Sequence, residues 1–413
     1  MTSSRSQRIF VFCYGLLIIY GSLYPFTGWR YPDNETIAQM KVLWPDHVSR
    51  SDLLTNFLAY IPFGYLVVRA LPSRFGAFGR FSLALAAGMM LSTTMEGIQL
   101  FLPARTSSLN DVLMNSISTL AGVLVAAVTV ETGKLGIKAG ELRLRWFIPG
   151  RLTGIGLGVL GVWACSQLAP FVPSLDMSTL KFGLKPLWHA LHDPALFKPY
   201  KAAVYALGIA GLGGVSQIMG RDRNRLLVLF ALFSLMVLVL KIFIVSRQLS
   251  PEAIAGWAVA VFLLIGMRFL SHGFLRGGAA FAILASFIVD ELRPSDMQIA
   301  ELHSFNLIPF YAQMASVQGF VSILEGVWPF AALAFISMSA MKKSSSFFAV
   351  RAGLLLGVLV FVLEWCQQFI PGRYPDITQV ILAAAGWAVP WLIQARDGST
   401  LRAVPPGSEI QDV

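Results

Sequence analysis

Residues Glu96–Asn115 read E-G-I-Q-L-F-L-P-A-R-T-S-S-L-N-D-V-L-M-N, between an apolar run that begins at Phe81 and another that reaches Val130. Glu96 and Gln99 stand three apart, which on a helix places them on one face. Pro103 ends that helix, because its ring removes a backbone donor and collides with the preceding turn. Arg105 then falls in a short turn. Asp111 and Asn115, four apart, open the next helix on a shared face. Five polar groups are thus concentrated where two apolar helices meet. The same arrangement returns as E-W-C-Q-Q-F-I-P-G-R-Y-P-D-I-T-Q at Glu364–Gln379, with Glu, Gln, Phe, Pro and Arg each displaced by 268 positions (364 minus 96). Its candidate polar residues are Glu364, Gln367, Arg373, Asp376 and Gln379.

Working outward, the 413-residue chain is 56% hydrophobic and only 13% charged, against roughly 25% charged in soluble domains. Its mean hydropathy is +0.66. These values identify an all-α polytopic membrane protein. The net charge of +10 does not indicate nucleic acid, because the basic residues sit in short clusters between apolar runs, the pattern of a topology signal. Apolar runs long enough to cross a bilayer lie at about 8–26, 53–71, 81–101, 109–130, 150–171, 200–219, 225–245, 252–270, 275–291, 318–339, 348–369 and 376–395. That makes about twelve transmembrane helices. The first follows Arg5 and Arg8 but has no small-x-small cleavage site, so it is expected to be a retained span.

Most of the 32 Lys and Arg residues fall in alternate segments: Arg5 and Arg8; Arg69, Arg74 and Arg80; Lys134 to Arg151; Arg221, Arg223 and Arg225; Arg268 and Arg276; Lys342, Lys343 and Arg351; Arg396 and Arg402. The positive-inside rule then puts both termini in the cytoplasm, and the Glu96 and Glu364 hairpins open outward. The expected location is the bacterial cytoplasmic (inner) membrane, with the lipid bilayer as partner and no nucleic acid.

Short motifs recur in fixed order. Leu-x-Pro-Phe appears at Leu23–Phe26, Leu168–Phe171 and Leu307–Phe310. A proline and an aromatic follow at Pro62–Phe63, Pro199–Tyr200 and Pro329–Phe330. Phe-x-x-x-Arg closes each set at Phe101–Arg105, Phe243–Arg247 and Phe369–Arg373. This predicts three four-helix units at 1–131, 148–271 and 273–396, with a polar cytoplasmic tail at 397–413. An even number of spans per unit makes the units parallel in the membrane. The middle copy has Leu238 and Lys241 where the acid and amide would stand. Its glycine runs, Gly154–Gly161 and Gly208–Gly214, point to close helix packing.

The pairing of N-x-x-x-Y-I-P-F-G at Asn56–Gly64 with E-x-x-Q-x-F-x-P-x-R resembles the VanZ-like family, named for a membrane protein linked to low-level teicoplanin resistance. The family pattern continues after the Arg with an acid at +3, an acid at +6 and an amide at +10. The first copy has Ser108, Asp111 and Asn115 there; the last has Asp376, Gln379 and Ala383. N-L-I-P-F at Asn306–Phe310 resembles the family's opening motif. The resemblance covers the first and last units well and the middle one faintly. It implies a role in cell-envelope homeostasis or glycopeptide resistance, a class and not a reaction.

A charged side chain at mid-bilayer costs roughly 2.5–3.5 kcal/mol on insertion scales, so it is kept where it meets a partner or water. One reading of the cluster is a structural clasp in which Arg105 bridges acids and caps carbonyls of the helix ending at Pro103. A second is a shallow outward pocket where Arg105 and Arg373 hold an anionic or lipid-linked envelope ligand. A third is proton-linked transport through Glu96 and Glu364. Ala84, Gly88 and Ser92 precede Glu96 at steps of four, a small-residue stripe that turns Glu96 toward a neighbouring helix. Glu325 is expected at an interface or as a third pocket acid. Trp29, Trp44, Trp188, Trp257 and Trp328 are expected as interfacial anchors. Cys13, Cys165 and Cys366 are expected as small buried hydrophobes. No metal or cofactor is expected: the H-x-x-H-D run at His189–Asp193 lacks a further ligand, and His47, His272 and His303 are isolated. No nucleophile elbow, phosphate loop or HExxH appears. The leading expectation is binding or transport without turnover, and no catalytic residue is assigned. The alternative is an intramembrane enzyme acting on a lipid-linked head group, with Glu96 or Glu364 as base and Asp111 as partner.

Overall fold

The structure is a computed structural model and describes residues 5–23, 26, 28–40, 50–103, 105–129, 141, 143–171, 173–293, 301–311, 313, 317–341 and 345–394. The polar tail, Trp44, His47 and the side chain of Asn56 lie outside the described residues. Most of the described chain is helical, and isolated bridges such as Asn306–Asp376 take the place of sheet. The helices are α1 (Arg5–Leu23), α2 (Asn34–Met40), α3 (Arg50–Ala70), α4 (Gly76–Gln99), α5 (Leu109–Thr129), α6 (Arg151–Leu168) and α7 (Met177–His192). They continue as α8 (Pro199–Met219), α9 (Arg223–Leu240), α10 (Pro251–Met267), α11 (His272–Leu292), α12 (Val317–Ala340), α13 (Ser346–Gln367) and α14 (Ile377–Gln394).

Among the described residues, eight helices are long and apolar enough to cross a membrane, and Phe10–Leu23 and Pro251–Met267 are shorter apolar helices. Their outer faces are apolar: Phe12 (67%), Phe262 (75%), Phe281 (70%) and Leu355 (72%) are exposed, as lipid-facing side chains must be. The molecule is an all-α, multi-pass membrane protein. Cys13, Cys165 and Cys366 are exposed rather than buried, because hydrocarbon solvates a thiol on the outer face of a span as well as a core does.

The chain divides into two compact units: Met1–Leu142 with Ala312–Phe320, and Arg143–Tyr311 with Val321–Val413. Residues 148–271 fall in the second unit, as do residues 273–396 apart from 312–320. In the first unit α3 packs along α5, and α1 and α4 complete a four-helix bundle. The α3–α5 approach rests on two glycines: a Cβ on Gly64 would collide with the Thr119 carbonyl, and one on Gly122 with the Ile61 carbonyl. The stripe Ala84, Gly88, Ser92 and Glu96 is buried along α4, with Gly88 seated against Thr119 of α5. Small side chains bring backbones close enough for dispersion and hydrogen bonding to hold helices where lipid removes the hydrophobic drive.

In the second unit α8 is central and packs against α6, α9, α10 and α11. Gly211 and Gly214 admit Ile283 and Ala279 of α11, as the glycine run predicts. In α6 only Gly156 is crowded, by Met219 and Phe335, whereas Gly158 and Gly161 face open space. The proline motif also differs between copies. Pro62 and Pro329 lie inside α3 and α12, but Pro199 is the first residue of α8, where a missing N–H is harmless. The H-x-x-H-D run begins on a helix: α7 carries His189 and His192 in its last turn. Trp257 is half-buried and donates to Ser234 Oγ at 3.1 Å, so it packs inside the bundle.

Candidate functional site

In the first unit the helix α4 ends at Gln99 and the chain turns through Leu102 and Arg105 before α5 begins. Glu96 is 4% exposed, and its Oε2 accepts the Ser108 N–H at 2.8 Å. Ser107 Oγ donates to the Glu96 carbonyl at 2.8 Å, closing the end of α4 against the start of α5. Asp111 lies close enough for its charge to act on Glu96. Asn115 is buried and donates from Nδ2 to Ser92 Oγ at 2.9 Å, and Thr119 Oγ1 donates to the Asn115 carbonyl at 2.8 Å. The Tyr60 hydroxyl lies beside Ser92 and Glu96, and among the described residues it, Asn110 Oδ1 and Asn115 Oδ1 are buried without a partner at hydrogen-bond distance and angle.

Gln99 and Arg105 face a different way. Gln99 Nε2 donates to the Ser22 carbonyl and Arg105 Nη2 to the Gly21 carbonyl, both at 2.8 Å. These are carbonyls at the C-terminal end of α1, left without intrahelical donors. Among the described residues, these two side chains reach the first helix of the unit, a partner that the sequence alone does not name. That partner is 84 residues away, so no local pattern reveals it.

The C-terminal hairpin repeats this plan within the second unit. Glu364, 2% exposed, accepts the Asp376 N–H at 2.9 Å. Gln367 Nε2 donates to Glu364 Oε1 at 3.3 Å and to Glu291 Oε2 at 2.5 Å. Arg373 Nη2 donates to the Glu291 carbonyl at 2.6 Å and to the Asp290 carbonyl, at the end of α11. Asp376 Oδ1 accepts the Thr378 N–H at 2.9 Å, and its Oδ2 is buried and unpartnered. Gln379 sits against Gly326 of α12. Glu291 is a site residue that sequence reasoning missed; the only signal was an acid near the end of an apolar run.

The middle stretch keeps the clasp with altered chemistry. Arg247 donates from Nη2 to the Ser166 carbonyl at 3.0 Å and from Nε to the Ala169 carbonyl at 2.5 Å. Burial lowers the Arg247 guanidinium from its ordinary value, and the charge of Glu325 works against that shift. Lys241 Nζ reaches Gln167 at the end of α6, as Gln99 reaches the end of α1. The Phe of each Leu-x-Pro-Phe motif has a left-handed backbone: Phe26 at φ 61°, Phe171 at φ 60° and Phe310 at φ 59°. A positive φ is uncommon outside glycine, and three at one motif position mark a shared turn. The residue three after each clasp arginine precedes a helix start. Ser108 Oγ accepts the Asn110 N–H at 3.1 Å, Ser250 caps α10 and Asp376 serves α14.

A family model described as VanZ/LLP1 matches residues 4–130. Comparison with curated proteins and with solved structures gave no match. The matched segment contains α1, α3, α4 and α5 together with Glu96, Gln99, Arg105, Asp111 and Asn115. The four-helix bundle that begins the chain is thus similar to the VanZ/LLP1 family over residues 4–130.

Proposed function

We propose that this protein acts at the outer face of the bacterial cytoplasmic membrane, in envelope homeostasis or glycopeptide-type resistance, by binding or transporting an envelope-related ligand. We read it as three VanZ-like units at 1–131, 148–271 and 273–396, twelve spans with both termini cytoplasmic. The observation that carries this reading is the paired placement of Glu96 and Glu364. Each is buried at the end of a span and accepts the backbone N–H twelve residues on, beside polar atoms that have no hydrogen-bond partner among the described residues. Buried acids at span ends are costly and are kept where they meet a partner or a ligand.

The arginines support a narrower reading. Arg105 and Arg373 donate to helix carbonyls, which leaves ligand contact to acids and amides. Such a site favours hydroxyl, amide N–H or ammonium groups on a lipid-linked ligand over a bare anion. The test is expression of full-length protein in a teicoplanin-sensitive host. Wild type is expected to raise the inhibitory concentration, and Glu96→Gln at equal membrane level to abolish the rise. Undiminished protection by both Glu96→Gln and Glu364→Gln sinks the proposal. Turnover of a lipid-linked precursor by purified protein, lost in Glu96→Gln, favours the enzymatic alternative instead.

A further inference from the structure

An open groove of about 470 Å³ lies at the start of α9, lined by Trp146, Asn224, Arg225, Val228 and Leu229. Backbone pairing within the second unit fixes its wall. Phe147 and Gly220 form an antiparallel bridge, the Arg221 N–H donates to the Trp146 carbonyl at 3.1 Å, and the Ile148 N–H donates to the Met219 carbonyl at 3.0 Å. The groove is graded along the helix. Asn224 and Arg225 lie in the first turn of α9, and Val228 and Leu229 lie one turn deeper. Leu229 is about 9 Å along the axis from Arg223. Val228 is 54% exposed, on a span of mean hydropathy 2.8. Hydrocarbon surrounds such a surface, so a lipid chain fills the apolar end of the groove. The polar end selects the head group.

Charge decides which one. Residues 143–151 and 219–225 carry six arginines and one acid, Asp222. Arg143 donates to the Gly150 carbonyl, Arg221 to the Phe147 carbonyl, and Arg223 to the Arg268 and Leu270 carbonyls. A carbonyl satisfies an N–H but cancels no charge. Arg225 pairs with Asp222 at 3.2 Å, with side chains 69% and 48% exposed, and a pair so exposed is held weakly. The Arg225 guanidinium can therefore turn to a phosphate, which it matches with two parallel N–H donors. Arg145, exposed, adds a second cation next to Trp146 in the chain. Asn224 supplies an amide that can donate to a phosphate or glycerol oxygen. This field repels the ammonium of a zwitterionic head group. A phosphate without an ammonium is opposed only by Asp222.

We propose that this groove binds an anionic phospholipid. Its phosphate accepts from Arg225 and Arg145, its glycerol lies against Trp146, and one acyl chain runs along Val228 and Leu229. Basic pockets at the ends of spans hold anionic head groups in this way. The site stands independently of the acid–amide function proposed above.

Full-length protein in detergent is titrated with phosphatidylglycerol, phosphatidylethanolamine and phosphatidylcholine of matched chains, and bound lipid is read by native mass spectrometry. Wild type is expected to retain phosphatidylglycerol about tenfold over the other two. A basic residue at a lipid surface contributes about fivefold in binding. Arg145→Gln and Arg225→Gln should each lower phosphatidylglycerol retention by about that factor, at an unchanged melting temperature. Asp222→Asn keeps a side-chain oxygen to cap α9 and removes the competing carboxylate. It should raise phosphatidylglycerol retention, a gain that misfolding does not produce. Lys181→Gln combined with Lys185→Gln removes two charges from exposed positions on α7 and should leave retention unchanged. Equal retention of the three lipids by wild type overturns the proposal, as does unchanged phosphatidylglycerol binding in folded Arg225→Gln. A loss in the α7 double variant as large as that in Arg225→Gln also overturns it, because the lipid then responds to net charge and not to the groove.

Discussion

Arg105, Arg247 and Arg373 each carry a guanidinium to the orphan carbonyls that end an earlier helix. Only a planar fork reaches two such acceptors in fixed geometry; an ammonium is a point donor. Arg247→Lys is therefore expected to lower the thermal stability of the detergent-solubilised protein, because one of the Ser166 and Ala169 carbonyls loses its donor. A hydrogen bond from a charged group contributes about 1.5–3 kcal/mol, and a melting temperature equal to wild type contradicts the clasp. Glu96 answers differently. Glu96→Gln keeps an oxygen to accept the Ser108 N–H and should melt like wild type. Glu96→Ala strands that buried donor and should cost about 1–3 kcal/mol, measured by the same melts. The polar residues themselves were legible in the sequence, since acid, amide and arginine stand out in apolar helices. Their partners were not, because Gly21, Ser22, Asp290 and Glu291 come together with them only through tertiary packing.

At the level of elements, the spans were legible because hydropathy is a local property, and the glycines of α8 because small residues in a span imply a close neighbour. The residue at +3 from each arginine was visible as a motif position but not as a helix cap. Ser, Ser and Asp at 108, 250 and 376 are the side chains that accept orphan N–H groups at a helix start. Ser250→Ala is expected to destabilise by about 1 kcal/mol, read as faster hydrogen exchange confined to the first turn of α10; unchanged exchange there rules out the cap. The helix α7 was hidden because Pro186 and the histidines resemble loop punctuation, yet proline is tolerated inside this helix. The short helix α2 offers a pH test. Thr36 donates its hydroxyl and its backbone N–H to Asp33, which lowers that carboxyl below its usual 3.8. A depressed folded value contributes stability above the unfolded value and loses it as pH falls through the folded one. Protection of the first turn of α2 should hold at pH 5 and disappear below 3.8, and protection that is constant through this range contradicts the cap.

At the scale of the whole molecule, the proposed orientation follows from charge, because a helix bundle packs alike in either direction across a bilayer. The basic clusters at Arg69–Arg80 and Arg221–Arg225 oppose translocation. The hairpins at Thr106 and Tyr374 carry the clasp arginines but few other positive charges. If the repeated units run parallel, these two hairpins share one side and the basic turns share the other. The exposed native thiols Cys13, Cys165 and Cys366 must first be replaced by alanine. Single cysteines are then placed at Thr106, Tyr374, Arg74 and Arg221, all exposed, and labelled with an impermeant maleimide on intact cells. Thr106→Cys and Tyr374→Cys are expected to label at once, and Arg74→Cys and Arg221→Cys only after permeabilisation. The reverse pattern inverts the protein and removes the acid–amide clusters from the outer face, and with them the envelope role. Labelling of Thr106→Cys but not Tyr374→Cys leaves the first unit in place but breaks the parallel repeat. In that case Glu96 and Glu364 face different compartments, and one ligand cannot serve both.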